Sequence, residues 1–166
     1  LQMCTIPSAG KHDLLADCTV DKTIVVEPSA TLTIEGNKNG MPAIGLERSA
    51  EWHISTYGVF SATNVVFRDG NSYNITRLAD NYQPAGAVTV YKGTATFDTV
   101  IFDSNIAKSG GAVNVHNGMA LFNNCEFQEN TAHLGYGGAV FLYPNTKAVF
   151  NNTRFLKNIA IRGGGV

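Results

Sequence analysis

The chain has 166 residues, enough for one domain with its own core; 44% of them are hydrophobic and only 15% are charged. A formal net charge of -1 argues against long-range attraction to nucleic acid or an anionic membrane. No apolar run approaches the roughly 18 residues of a membrane span, so we expect a segment that does not cross a membrane.

The first 22 residues are predicted to form an N-terminal cap. The chain starts at Leu1 and shows no basic segment followed by an apolar one, so we expect a processed chain or a fragment whose signal peptide is gone. Cys4 and Cys18 are close enough in sequence to form a disulfide that closes the cap. Cys125, by contrast, is predicted to be a buried free thiol.

The same features favour an oxidising, extracellular or cell-surface location. Two sequons, Asn74-Ile-Thr and Asn151-Asn-Thr, are candidate N-glycosylation sites. Disulfides persist in the secretory route and are rare in the cytosol. The sequons and the predicted bridge together therefore favour secretion.

Residues 23–70 follow a loosely repeated all-β plan. Thr23 to Val26 and Ala30 to Ile34 alternate in the manner of strands, and three further strands lead up to Phe67. Glycine and proline residues predict that 35–50 is irregular, because they interrupt strand pairing.

The next segment, near 70–85, is an insertion of about 10 residues in an otherwise regular repeat. Loops that interrupt a solenoid often carry its binding function, but a tolerated surface insertion is the simpler explanation. The mixture of aromatic and charged residues makes this a candidate interaction loop. Its candidate residues are Tyr73, Arg77, Asp80 and Tyr82.

From residue 86 onward the chain repeats itself every 25 residues or so, which is the strongest signal in the sequence. Each repeat has a Phe-x-x-Asn motif followed by a glycine-rich turn and a valine. The Phe-x-x-Asn copies begin at Phe102, Phe127 and Phe155, and the glycine copies are Gly110-Gly111-Ala112-Val113, Gly137-Gly138-Ala139-Val140 and Gly163-Gly164-Gly165-Val166. The glycines are predicted to mark tight turns with positive φ.

Three bursts of alternating apolar residues within each repeat indicate three short strands joined by turns. Such a repeat cannot bury its apolar face alone and must stack on its neighbours. The sequence therefore predicts a right-handed parallel β-helix over residues 23–166, with about five coils of about 25 residues, continuing beyond the C-terminus in a parent protein.

Aligned polar residues support the same register. The motif asparagines Asn105, Asn130 and Asn158 are predicted to form a structural ladder joined by side-chain amides. Opposite charges also align, as Arg68 with Asp103, Glu126 with Arg154, and Glu129 with Lys157. Such exposed pairs are worth only about 0 to 1 kcal/mol each, so they report register more than stability.

Some apolar residues are predicted to face outward. Leu121, Phe141, Val149 and Leu156 form a candidate contact face, because stacked exposed hydrophobic side chains suggest an interaction surface. The outward positions of the first strand, Thr89, Asn114 and Phe141, carry no threonine array, which argues against ice binding.

The paired motifs Phe-x-x-Asn and Gly-Gly-Ala-(Ile/Val/Leu) resemble those of the chlamydial polymorphic outer membrane proteins. The resemblance covers residues 86–166 well and 23–70 loosely, and it implies a β-helix with an adhesive role. We therefore expect a non-enzymatic structural or adhesive module that meets a protein or glycan partner.

A polysaccharide-binding or pectate-lyase-like, polysaccharide-cleaving protein is the alternative. Such enzymes need clustered carboxylates beside a basic residue. The 13 acidic residues include no Asp-Asp pair, and the histidines occupy unrelated repeat positions. The sequence therefore predicts no catalytic residues, metal site or cofactor.

Overall fold

The computed structural model describes residues 2–46, 53–75 and 83–166, and these are all-β. Their strands, in chain order, are β1 (Gln2–Met3), β2 (Gly10–Leu14), β3 (Cys18–Val20), β4 (Ile24–Val26), β5 (Thr31–Gly36), β6 (Ala43–Leu46), β7 (Ile54–Thr56), β8 (Val59–Thr63), β9 (Val66–Arg68), β10 (Val88–Tyr91), β11 (Thr94–Asp98), β12 (Ile101–Asp103), β13 (Ile106–Ala107), β14 (Val113–His116), β15 (Met119–Asn123), β16 (Glu126–Gln128), β17 (Thr131–Tyr136), β18 (Val140–Leu142), β19 (Lys147–Asn151), β20 (Arg154–Leu156) and β21 (Ile159–Arg162).

The strands form parallel sheets in which equivalent strands of successive repeats are neighbours. The first sheet has the order β18-β14-β10-β7-β4, the second β19-β15-β11-β8-β5-β2, the third β1-β3-β6-β9-β12-β16-β20, and the fourth β13-β17-β21. Consecutive strands of one repeat thus belong to different sheets. The arrangement is consistent with a β-solenoid, and the aligned sequence repeats pair in the predicted register, for example Phe102 with Phe127.

The core is mostly aliphatic and contains two columns of phenylalanine rings that run through successive repeats. In the third sheet Phe67, Phe102, Phe127 and Phe155 stack with centroid separations of 5.6, 4.7 and 5.0 Å. In the second sheet Phe97, Phe122 and Phe150 stack at 5.0 and 4.9 Å. Rings of the two columns meet edge to face, which is the favoured geometry for aromatic pairs that are not offset-stacked.

The glycine turns use their two glycines differently. The first glycine of each pair, Gly110, Gly137 and Gly163, has a φ of 60°, 62° and 62°. The second, such as Gly111, lies so close to the backbone of the next repeat that a Cβ would collide with the Gly138 carbonyl. Positive φ therefore explains only the first glycine, and close backbone approach explains the second.

The N-terminal part contains more strand than the sequence indicates. Residues Ala43–Leu46, in the segment expected to be irregular, form β6 and pair with β3 and β9. The prediction was wrong because parallel neighbours on both sides satisfy the backbone. Glycine at position 45 also leaves room for Thr19, since a Cβ there would lie only 3.3 Å from the Thr19 side chain. The predicted cap region likewise supplies β1, β2 and β3 to the second and third sheets.

Two of the three predicted charge pairs form. Arg154 lies 3.7 Å from Glu126, and Lys157 lies 3.1 Å from Glu129. Arg68 is in register with Asp103, as predicted, but its guanidinium turns to Asp17 at 3.4 Å instead. Asp17 belongs to the N-terminal segment, whose position relative to Arg68 no repeat alignment could reveal.

Candidate functional site

One hydrogen bond joins the two ends of the predicted interaction loop, and another ties its first part to the repeat scaffold. Ser72 Oγ donates to the Pro84 carbonyl at 2.8 Å, and Lys108 Nζ donates to the Ile75 carbonyl at 2.7 Å. The ring of Tyr73 meets the His133 ring edge to face at 5.0 Å. The other candidate residues of this loop, Arg77, Asp80 and Tyr82, lie outside the described residues.

The end of the insertion covers part of the first sheet. Asn114 Nδ2 donates to the Gln83 carbonyl at 2.7 Å, and Thr89 Oγ1 accepts the Ala85 backbone N–H at 3.0 Å. Thr89 and Asn114 are consequently buried, although the strand alternation placed them outward. That exposure was predicted wrongly because the alternation cannot show that a neighbouring loop folds over the strand.

The predicted contact face is distributed over three sheets. Leu121 and Val149 are paired neighbours in the second sheet and are half-buried. Phe141 lies in the first sheet and Leu156 in the third. The four residues therefore do not stack on one face, and the reason is that they occupy different strands of the repeat.

The motif asparagines join successive repeats through both side chain and backbone. Asn105 Nδ2 donates to Asn130 Oδ1 at 3.0 Å, and Asn130 Nδ2 donates to Asn158 Oδ1 at 2.9 Å. Asn105 and Asn130 are fully buried. Their position and partners are structural, since every polar atom they present is directed at a neighbouring repeat.

The cysteines and sequons are placed as follows. Cys4 and Cys18 form the predicted disulfide, and Cys125 is a buried free thiol. Burial raises the pKa of Cys125 to about 11, so the group stays a neutral thiol at physiological pH. Asn74 and Asn151 are both exposed, which leaves each accessible to a glycan.

His53 is fully buried and packs edge to face on Phe67 at 5.5 Å. Neither of its ring nitrogens makes a hydrogen bond of good geometry among the described residues, although the backbone groups of Ile44 and Arg68 lie near enough to oppose part of the effect of burial on its pKa. Burial lowers its pKa to about 3, because the charged form would lose its hydration there. These surroundings indicate that His53 is a neutral side chain that packs in the core.

A row of aromatic side chains lies along the C-terminal ends of the strands of the first sheet, and the sequence analysis did not predict it. Each member directly follows the first-sheet strand or ends it, so the row has one member per repeat: Tyr57, Tyr91, His116 and Tyr143. Neighbouring centroids are 5.1, 5.2 and 4.7 Å apart. The three tyrosines are half-buried, and His116 is 8% exposed. We call these four residues the aromatic row.

The row continues toward the fourth sheet. Phe141 contacts Tyr143 edge to face at 4.7 Å and stacks on Tyr136 at 5.7 Å. Tyr136 is 46% exposed, and the guanidinium carbon of Arg162 lies 5.6 Å from its ring centroid. Phe141, predicted as a contact residue, thus belongs to a continuous aromatic surface, although with different neighbours from those expected.

The charge beside the row is positive. Lys92 is exposed, and its Nζ lies 5.2 Å from the centroid of the Tyr91 ring. The pKa of His116 is lowered, first by burial and further by the nearby Lys92 charge. His116 is therefore a neutral ring near pH 7, and Lys92 supplies the positive charge at the centre of the row.

The sequence does carry a repeated aromatic position that indicates the row, but the residue type at that position is not the same in every repeat. The position is tyrosine in three repeats and histidine in one, and the strand alternation does not classify it because it falls at the strand end. A search for repeated aromatic character, rather than repeated residue identity, would have found it.

In the described part of the chain, no group of three or more histidine, cysteine, aspartate or glutamate side chains is placed to hold a metal ion. Within the same residues there is no helix with the length and apolar character needed to cross a membrane.

Comparisons of the chain with family models, characterised proteins and solved structures find no match.

Proposed function

We propose that this protein is a non-enzymatic interaction module of the extracellular space or the cell surface, with a structural or adhesive role. The aromatic row is the observation that carries this proposal. Half-buried tyrosines held at fixed spacing form a rigid surface with apolar bodies and polar tips, and tyrosine is enriched where proteins meet partners.

The scaffold in this proposal is a right-handed parallel β-helix of about five coils, with residues 1–22 as its cap and 23–166 as its body. The succession of the four parallel sheets supports it, and crossovers between parallel strands are right-handed in nearly all proteins. The resemblance to the chlamydial polymorphic outer membrane proteins is in keeping with the same scaffold. A crystal structure showing left-handed or unclosed coils would contradict it.

The absence of enzymatic activity is part of the proposal. Several acidic groups already serve cross-repeat ion pairs, among them Glu126 and Glu129. Two assays test the proposal. The first incubates the chain with acidic and neutral polysaccharides, with and without calcium, and measures new polysaccharide chain ends; the second measures retention of the chain on a panel of immobilised extracellular proteins and glycans. We expect retention on the panel and no cleavage of any polysaccharide. Saturable cleavage, or no retention on any member of the panel, would overturn the proposal.

The secretory location rests on the Cys4–Cys18 disulfide and the exposed sequons at Asn74 and Asn151. Mass spectrometry of the chain isolated from its natural source tests it. We expect the bridge to be oxidised and at least one of the asparagines to carry a glycan. Two reduced cysteines and two unmodified asparagines would exclude passage through the secretory route.

A further inference from the structure

The outer face of the fourth sheet carries a group of exposed aliphatic side chains. Leu134, Ile159 and Ile161 are 60%, 62% and 68% exposed, and among the large apolar side chains of the described residues only Leu15 exceeds them. Single exposed apolar side chains are ordinary, whereas a contiguous group marks a contact surface. We propose that this face binds an extended segment of a protein partner that presents aliphatic side chains beside carboxylates. The inference rests on the proposed function and names the class of its partner.

The three aliphatic side chains lie on the same side of the sheet. Ala160, between Ile159 and Ile161, pairs with the buried Ala132, and side chains alternate along a strand, so both isoleucines point outward. Leu134 belongs to β17, which has a neighbour on each side, so its exposure does not come from the edge of the sheet. Side chains project across the pairing direction, and a further strand paired with β21 would therefore leave this face uncovered.

An irregularity in β17 shapes the face. The register of β17 against β21 shifts between Ala132 and Tyr136, and extra residues in one strand bend it locally. A depression of about 210 Å³ lies at this shift. It is lined by Leu134, Gly135, Tyr136, Ile161 and Arg162. Its aliphatic walls suit an apolar side chain of a partner, because burial there removes apolar surface of both from water.

The charge of the face is positive. Strands β13, β17 and β21 contain no aspartate or glutamate. Arg162 is exposed, and its guanidinium donates a hydrogen bond to the Tyr136 hydroxyl at 3.0 Å. A guanidinium has five N–H donors, so it can also bind a carboxylate. Lys108, whose carbonyl accepts the Leu134 N–H at 3.2 Å, adds a second positive charge. A partner with carboxylates beside aliphatic side chains is complementary to both properties.

The residue types and the width of the face favour a polypeptide segment over a membrane. Tyrosine and arginine are the residues that most often anchor protein contacts, and Tyr136 with Arg162 supplies both, next to Phe141. Membrane surfaces attract clusters of about four to eight basic residues, more than this face has. The outer strands of a three-stranded sheet lie only about 10 Å apart, which accommodates one extended segment.

The experiment selects binders of the intact chain from a displayed library of random peptides of about eight residues, close to the length of a strand. We expect enrichment of sequences in which aliphatic residues stand beside aspartate or glutamate. Synthetic copies of the enriched peptides are then titrated with the chain by fluorescence anisotropy. Their affinity should fall as salt is added, because contacts between exposed charges are screened.

Leu134→Ser and Ile161→Ser should each weaken binding of the enriched peptides about three- to tenfold, because each removes apolar contact area. Both positions are exposed, so the two variants should fold. Leu15→Ser makes the same change at an exposed position outside the sheet and should bind as the parent does. Arg162→Gln should weaken binding and remove most of its salt dependence, whereas Arg154→Gln, on the third sheet, should do neither.

The inference is overturned if no sequence is enriched, if the enriched peptides are basic, or if Leu134→Ser and Ile161→Ser both bind as the parent does. Sedimentation at increasing chain concentration and flotation with vesicles that contain phosphatidylserine test the other occupants. Self-association or vesicle binding that Ile161→Ser abolishes would assign the face to a second copy or to a membrane, and would also overturn the inference.

Retention on the panel of immobilised proteins and glycans separates this inference from the proposed function. Retention that both serine variants preserve would keep the interaction module and remove this face as its contact. A parent chain that is not retained at all contradicts the proposed function, and the peptide titration still decides whether the face binds an acidic, aliphatic segment.

Discussion

Asn105 and Asn130 are joined by two hydrogen bonds to a single oxygen. Asn130 Oδ1 accepts the Asn105 side-chain amide at 3.0 Å and the Asn105 backbone N–H at 3.1 Å. The Asn130 side chain in turn donates to the Phe102 carbonyl at 3.0 Å. One asparagine side chain therefore satisfies two backbone groups of the same turn in the preceding repeat, and all of these groups are buried away from water.

Replacing Asn130 by alanine should lower the free energy of unfolding by about 2 to 4 kcal/mol, because the buried Asn105 N–H would lose its acceptor and the buried Phe102 carbonyl would lose a hydrogen bond. Equilibrium denaturation in urea measures the change. Asn151→Ala is the matched control, since Asn151 is exposed and only pairs with Asn123, and it should change stability by less than about 0.5 kcal/mol. Equal losses in the two variants would contradict a structural role for the buried ladder.

The phenylalanine columns give a second prediction. Phe122 is fully buried between Phe97 and Phe150, with ring planes 6° apart on both sides. Phe122→Ala should cost about 3 to 5 kcal/mol, because it opens a cavity in the middle of the column. Phe150→Ala, at the half-buried end of the column, should cost distinctly less because that site can relax toward solvent. Thermal and urea unfolding of both variants measure the difference, and an equal cost would mean that the column does not act as a packed unit.

The repeat made the parallel pairing predictable from sequence because identical residues must occupy identical positions. Phe102, Phe127 and Phe155 mark one stacked column, and the asparagine three residues after each marks a second. A shift of register by one residue would place every phenylalanine on the opposite face. The aligned motifs therefore left a single register open for this part of the chain.

The turn before each asparagine was not predictable from residue types. Ser104, Glu129 and Lys157 adopt a φ of 55°, 54° and 54°. These side chains have no common preference for the left-handed region, where glycine and asparagine are the usual residues. The hydrogen bonds of the asparagine ladder hold the turn, so the cause lies in the neighbouring repeat rather than in the local sequence.

The aromatic row lies at one aligned position of the repeat, but the contacts around it join positions that no repeat alignment places together. Gln83 covers Asn114 because the insertion returns over the first sheet, and Tyr136 meets Phe141 across the glycine turn. Such contacts join positions that differ in every repeat. Sequence periodicity therefore predicted the parallel pairing of the repeats, whereas these contacts between unlike positions were visible only in the structure.

The cysteines give a third prediction. Native chain treated with an alkylating reagent at pH 8 should show no rapid modification, because Cys4 and Cys18 are bonded and burial keeps Cys125 protonated, with its pKa raised to about 11. Unfolding without reductant should expose one thiol per chain, and unfolding with reductant should expose three. Rapid labelling of Cys4 or Cys18 in the native, unreduced chain would contradict the bridge.

The disulfide itself should contribute about 2 to 4 kcal/mol to stability, because it closes a short loop in the unfolded chain. The double variant Cys4→Ala with Cys18→Ala should unfold at a correspondingly lower urea concentration. The single variant Cys125→Ala, with the bridge intact, is the control and separates loss of the bridge from loss of a buried thiol. A double variant as stable as the parent would mean that the N-terminal strands do not depend on the bridge.

His53 should make the fold sensitive to acid. Its pKa is lowered to about 3 in the folded chain, whereas an unfolded histidine titrates near 6.5. The unfolded state therefore binds a proton first as pH falls, and stability is full above pH 6.5 and declines through the window down to about 3. Linkage gives a slope of about 1.4 kcal/mol per pH unit from this one group.

Urea unfolding of the parent and of His53→Leu at a series of pH values isolates the contribution of His53, because the carboxylates contribute equally to the stability of both proteins. The difference in stability should shift steadily in favour of His53→Leu as pH falls from neutral to 4. His133→Gln, at an exposed position, is the control for the removal of a histidine as such. Parallel pH profiles for the parent and His53→Leu would show that the buried ring is protonated as easily as a solvated one, which its complete burial argues against.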